Sequence, residues 1–144
     1  MTRENLEALP EPARSRARMF LTDAGPEVLG AVRLVRAKRS ETLLRMGETP
    51  DRVYLLLSGS ARIIDQPNPG ADYAFDEVAG MQFFGELEAI AELACVNAAV
   101  VAAQDCLLLC MSDVAFLSWL EESPAATRLV LRSAVDRLLL QSCE

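Results

Sequence analysis

The sequence predicts an α+β fold that is mainly β, an antiparallel sandwich or barrel with short helices before it and longer helices after it. Three observations lead there. Short apolar segments recur about every ten residues through the middle of the chain, Gly, Pro and Asn clusters separate them, and the periodicity turns helical after Ser112. With 144 residues the chain fits one domain, 1–144, built on a single core that buries roughly two-thirds of the extended surface. An apolar fraction of 51% beside 24% charged residues is that of a globular protein.

The elements follow in order. Residues 12–30 read as short N-terminal helices broken at Gly25-Pro26, with Phe20, Leu21, Val28 and Leu29 available to cover a core. The strand region is 31–111. Val32-Leu34 alternates with Arg33 and ends near Ser40; Thr42-Leu44 follows; Val53 to Leu57 runs into Ser58-Gly59; Ala61 to Ile64 leads to the turn Gln66-Pro67-Asn68-Pro69-Gly70. Tyr73 and Phe75 mark another strand, Gly80 a turn, and Ala98 to Ala103 with Cys106 to Met111 the last pair. Residues 112–144 are helical. Ser112-Asp113 supplies an N-cap for a helix carrying Val114, Phe116, Leu117 and Leu120, and Ser123 with Pro124 opens a second helix that runs on to the C-terminus. Along that last helix Leu131, Ala134, Val135 and Leu138 form an apolar stripe. Leu138-Leu139-Leu140 adds apolar character on a further face, which suits either burial against the strands or a partner helix in a homodimer.

Charge is unevenly spread. Ten of the fourteen basic residues lie in 1–52, whereas the other ninety-two residues hold four against thirteen acids, for a net charge of −7. Arg14, Arg16 and Arg18 sit among Glu4, Glu7 and Glu11, and Arg33, Arg36, Lys38 and Arg39 alternate with apolar residues, so solvated faces account for most of them. A nucleic-acid backbone site on an acidic chain would need a denser patch. There is no apolar run of the ~18 to 20 residues that span a bilayer, and Met1 to Glu11 is not a secretory signal, so the expectation is a cytoplasmic protein without membrane contact.

Cys95, Cys106, Cys110 and Cys143 occur with no histidine and no Cys-x-x-Cys, which argues against a metal site. Cys106 and Cys110 are an even number apart and so share one strand face. They read as buried structural thiols, with a redox sensor as the alternative. Enzymatic chemistry finds no support, because no nucleophile stands beside a base and no phosphate-cradling glycine loop exists, so no catalytic residue is assigned.

Gly47-Glu48, the run from Val53 to Ile63 with Ser58-Gly59, Gly80, Phe83-Phe84-Gly85-Glu86 and the helix from Pro124 come in an order and spacing that resemble the cyclic nucleotide-binding domain of the Crp/Fnr regulator superfamily. The resemblance runs from about Ala13 to Ser142. It implies a β-roll or jelly-roll of about eight strands with a long C-terminal dimerisation helix, and a phosphate-binding cassette between the sixth and seventh strands. It also implies that Gly85 and Glu86 open a short helix whose N–H groups meet the cyclic phosphate, while Glu86 accepts from the ribose hydroxyl. An arginine should follow near the end of the cassette. Here Val96 falls at that position, and Asn97 where a small polar residue belongs.

The departure has a size. Removing one partner of a desolvated charge pair costs on the order of 2 to 5 kcal/mol, and a helix N-terminus returns only about 0.3 to 1 kcal/mol. Between Arg62 and Arg128 there is no Lys, Arg or His, and Glu88 and Glu92 join Glu86 in the cassette. Tight binding of cyclic AMP or cyclic GMP is therefore not expected, and no other cofactor is assigned. By the same resemblance Arg137, Gln141 and Ser142 on the last helix overlie the pocket, and Arg137 is expected to pair with Glu86 in the absence of ligand. Phe83, Phe84, Leu87, Val96 and Ala98 are expected to line a cavity for an uncharged or cationic effector.

These readings converge on a non-enzymatic ligand-sensing and dimerisation domain of a Crp/Fnr-type transcriptional regulator. The alternatives are a ligand-free interaction and dimerisation module, or weak, non-standard cyclic nucleotide binding. Nothing in residues 1–144 supplies a recognition helix for the DNA major groove, so no DNA-binding domain is expected within this chain.

Overall fold

The computed structural model describes residues 1–65, 70 and 74–142, with the side chains of 74, 75 and 140–142 excepted. Three helices come first: α1 (Arg3–Glu7), α2 (Ala13–Phe20) and α3 (Pro26–Gly30). Eight strands follow: β1 (Arg33–Ala37), β2 (Thr42–Leu44), β3 (Arg52–Ser58), β4 (Ser60–Asp65), β5 (Ala74–Ala79), β6 (Gln82–Phe84), β7 (Ala99–Ala102) and β8 (Cys106–Ser112). The short helix α4 (Glu86–Ile90) lies between β6 and β7, and α5 (Asp113–Glu122) and α6 (Pro124–Ser142) close the chain. The strands form two antiparallel sheets, β1-β8-β3-β6 and β2-β7-β4-β5. This is the α+β jelly-roll expected from the sequence.

The apolar run of β3 is explained by burial on both sides. Val53, Leu55 and Leu57 face the helices with Leu107, Leu109 and Met111 of β8, while Tyr54 and Leu56 face the other sheet with Cys106, Leu108 and Cys110. A sheet covered on both faces loses the simple apolar–polar alternation. On its outer side Phe20 of α2, Phe83 of β6 and Phe116 of α5 form an aromatic cluster with centroids 5.4 to 6.3 Å apart. Trp119 donates from Nε1 to the Phe20 carbonyl at 3.0 Å and so fixes α5 to α2.

Caps set the helix boundaries. Ser112 Oγ accepts from Ala115 N and Ser123 Oγ from Ala126 N, each at 3.1 Å, as the sequence predicts for the starts of α5 and α6. Gly59 joins β3 to β4 with φ +94°, and a Cβ there would lie 2.5 Å from the Asp105 carbonyl oxygen, so only glycine fits the crossing.

Two expectations need correction and one lies out of view. The N-terminal basic residues are not simply a solvated face: Arg3 donates to the Ala24 carbonyl and Arg16 to that of Leu57, both at 2.7 Å, tying α1 to the α2–α3 connection and α2 to β3. Residues 3–7 also form a helix of their own, capped by Thr2 Oγ1, which the polar composition of Met1 to Glu11 conceals. Tyr73, the turn residues Gln66 to Pro69, Cys143 and the side chains of Gln141 and Ser142 lie outside the described residues.

Candidate functional site

The cassette is built where β6 turns into α4. Gly85 adopts φ +84°, and a Cβ at this position would stand 2.6 Å from the Arg52 carbonyl oxygen, so the turn sits against β3 and requires glycine. From α4, Glu86, Glu88 and Ala89 are buried and Leu87 and Ile90 are exposed. The segment then returns to β7 through Val96, whose N–H donates to the Glu48 carbonyl at 2.8 Å and whose carbonyl accepts from Gly47 N at 2.9 Å. The 47–48 loop thus straps the end of the cassette. Val96 is 2% exposed and packs in the inner cluster with Phe84 and Val100.

Arg137 of α6 clasps the start of the cassette. Its Nη1 is 3.4 Å from Glu86 Oε1, its Nε donates to Gln82 Oε1 at 3.3 Å, and its Nη2 donates to the Phe83 carbonyl. The Arg137–Glu86 pair expected from the sequence is present. The other carboxylate oxygen, Glu86 Oε2, is buried without a hydrogen-bond partner. Burial pushes the Glu86 carboxyl up to about 7; Arg137 pulls it down, the Glu88 carboxylate adds to the rise, and the Leu87 N–H gives smaller relief. Burial raises Glu88 as well. Glu92, two residues beyond α4, is exposed.

A second cation approaches from β3. Arg52 lies two residues before Tyr54 on the same strand face and is half-buried, donating from Nε to Tyr54 Oη at 3.0 Å and from Nη2 to the Leu43 carbonyl at 2.7 Å. It also pairs with Asp51 at 2.7 Å and with Glu48 Oε1 at 3.2 Å. Arg52 therefore stands on the loop that straps Val96, with its donors already engaged. The cassette is cation-free in sequence but not in space. Strand periodicity would have placed Arg52 beside Tyr54; its link to Val96 runs through backbone bonds that no side-chain pattern reveals.

The predicted pocket residues do not share one cavity. Phe83 and Phe84 point to opposite faces of β6, the former into the helix-facing cluster and the latter into the inner one. Leu87 is half-exposed, Asn97 is exposed and Ala98 is partly buried. An apolar chamber lined jointly by Phe83, Phe84, Leu87, Val96 and Ala98 is thus replaced by a split arrangement, with Phe84 and Val96 inside the roll and the Glu86–Arg137 pair at the α6 side. Cys106 and Cys110 are both buried on the inner face, where burial raises their thiols, the opposite of what a reactive thiolate requires. Among the described residues no group of three or more His, Cys, Asp or Glu converges as a metal site, and no helix is long and apolar enough to cross a membrane.

The model of the cyclic nucleotide-binding domain family matches residues 34–123, more than half of the chain. The chain belongs to this family. No curated protein sequence matches it. Among solved structures it is similar to the sensor domain of the transcriptional regulator DNR from Pseudomonas aeruginosa, with TM-score 0.66 and 20% identity over 91% of each chain. It is also similar to the Thermus thermophilus catabolite activator protein, with TM-score 0.65 and 20% identity over 85% of this chain and 59% of that one. A cAMP-binding acyltransferase from Mycobacterium smegmatis gives TM-score 0.73 and 21% identity over 95% of this chain and 40% of that one. This cyclic nucleotide-binding domain thus spans less than two-thirds of the catabolite activator protein and of the acyltransferase, and at these identities the likeness is one of fold.

Proposed function

We propose that this cyclic nucleotide-binding domain is the non-enzymatic sensing and dimerisation unit of a Crp/Fnr-type transcriptional regulator, and that it does not bind cyclic AMP or cyclic GMP tightly. The observation that carries this reading is Val96, a buried apolar residue strapped by Gly47 and Glu48 at the point where the resemblance calls for an arginine. A phosphate diester desolvated there meets no free guanidinium. Arg137 is engaged by Gln82, Phe83 and Glu86, and Arg52 by Tyr54, Leu43, Asp51 and Glu48. Recruiting either would break contacts already made, and the two buried acids of α4 offer the incoming charge no counter-ion.

An effector suited to these groups is uncharged or cationic, with a donor for the unmet Glu86 oxygen. Dimerisation is assigned to α6, where Leu131, Val135 and Leu138 are 60%, 49% and 62% exposed at three-to-four spacing and Ala134 lies beside them. With its acidic charge, the chain is not expected to bind DNA by itself. A thermal-shift screen of nucleotides, organic acids, amines and aromatic metabolites tests the sensing role: stabilisation by an uncharged or cationic compound supports it, and a screen without a single stabiliser favours a ligand-free dimerisation module.

A further inference from the structure

The face of α4 turned to solvent is apolar. Leu87 and Ile90 of α4 and Leu93 just beyond it recur at three-residue spacing and are 49%, 49% and 43% exposed, so the cassette helix buries its two glutamates and shows its large hydrophobic side chains. This inverts the usual amphipathic order. Beside it, α4, α5 and α6 enclose a groove of about 460 Å³ lined by Ile90, Leu117, Leu120, Val130 and Leu131. Two further lining residues, Glu92 and Glu121, are exposed acids. None of the residues lining the groove is a cation, and α4 and α5 carry none, while the exposed Arg128 and Arg132 of α6 lie outside the lining. Exposed apolar side chains gathered in a groove mark an interaction surface, and the two acids in its lining select the sign of the partner.

We propose that this groove docks a basic amphipathic helix of a partner protein. Apolar side chains one turn apart enter between Ile90, Leu117 and Leu120, and flanking Lys or Arg residues meet Glu92 and Glu121, the helix-in-groove mode with anchors at i, i+3 and i+7. The proposal does not depend on which effector the cassette takes.

Fluorescence anisotropy on the full chain tests it with two lactam-bridged helical peptides, identical in their leucines but flanked by lysines in one and by glutamates in the other. The lysine peptide is expected to bind at least about tenfold more tightly and to weaken as salt rises. Ile90→Ser, at a half-exposed position, is expected to weaken it roughly tenfold without changing the circular dichroism. Glu92→Lys combined with Glu121→Lys is expected to reverse the preference between the peptides. Equal affinity for both peptides, or undiminished binding by Ile90→Ser, would overturn the proposal. So would a loss of self-association in Ile90→Ser on sedimentation equilibrium, since the groove would then be filled by a second copy of this chain.

Discussion

Arg137 on the last helix holds Glu86 at the start of α4, with Nη1 3.4 Å from Oε1, while Oε2 of the same carboxylate is buried and unpartnered. A side chain 51 residues away thus links the cassette to the proposed dimer helix. The link is asymmetric in its energetics. Arg137 keeps Gln82 and the Phe83 carbonyl if Glu86 is lost, whereas Glu86 without Arg137 is a buried carboxylate with no cation.

A double-mutant cycle of Glu86→Gln and Arg137→Met, read by urea unfolding, is predicted to give a coupling of about 1 to 3 kcal/mol. Arg137→Met alone should be the more damaging single change. A coupling of zero would mean that the two groups only happen to lie close.

The pH dependence follows from the same carboxyl. Glu86 is raised from 4.5 to about 7 in the folded chain, so the folded state holds its proton more tightly than the unfolded state. Its contribution is full below pH 4.5 and is lost as pH rises towards 7, at up to about 1.4 kcal/mol per pH unit. Glu88 is raised and acts with the same sign. Glu7 and Glu11, held low by Arg18 and Ser15 respectively, act oppositely below their unfolded value of 4.5. Stability should therefore fall between about pH 5 and pH 7, and Glu86→Gln should flatten that decline. A wild-type stability that rises over this interval would contradict the buried state of Glu86.

Gly59→Ala should destabilise by roughly 2 to 4 kcal/mol, since left-handed strain adds to a contact of 2.5 Å with backbone. Gly47→Ala has a similar φ of +88° but nothing within 4 Å of its Cβ, and should lose only about 1 kcal/mol. Thermal unfolding of the two variants separates strain from collision.

Val135→Glu places a charge on the exposed apolar stripe of α6 without touching the core. Sedimentation equilibrium is expected to show a dimer for the parent chain and a monomer of unchanged helicity for the variant. A parent chain that is monomeric at all concentrations would remove α6 as a self-association surface.

Much of the fold is legible in the sequence because its elements carry local signals. Ser112 and Ser123 announce the last two helices, and the strand rhythm from Val32 to Met111 announces the roll. β6 is less visible as a strand, since three residues, Gln82 to Phe84, are too few for alternation to register. The site is legible only in part. Arg137 and Glu86 meet as expected for the ligand-free chain, but the split of Phe83 from Phe84 follows from strand pleat, and the approach of Arg52 to the Val96 strap follows from loop bonds made by Gly47 and Glu48. Such long-range backbone pairing leaves no mark on the spacing of side chains. The groove of Ile90 and Leu117 is hidden for a related reason: apolar residues read as core until the structure leaves them at the surface.

Isothermal titration of cyclic AMP into the chain measures most directly whether a buried Val96 excludes the phosphate. Relative to a micromolar site, a loss of roughly 2 to 5 kcal/mol corresponds to a dissociation constant between about 30 μM and several millimolar. The predicted result is an unsaturated, weak isotherm, with the same outcome for cyclic GMP. A saturable one-to-one isotherm with a dissociation constant of about 1 μM or below would contradict the proposal, and would require Arg52 or Arg137 to leave its present partners for the ligand.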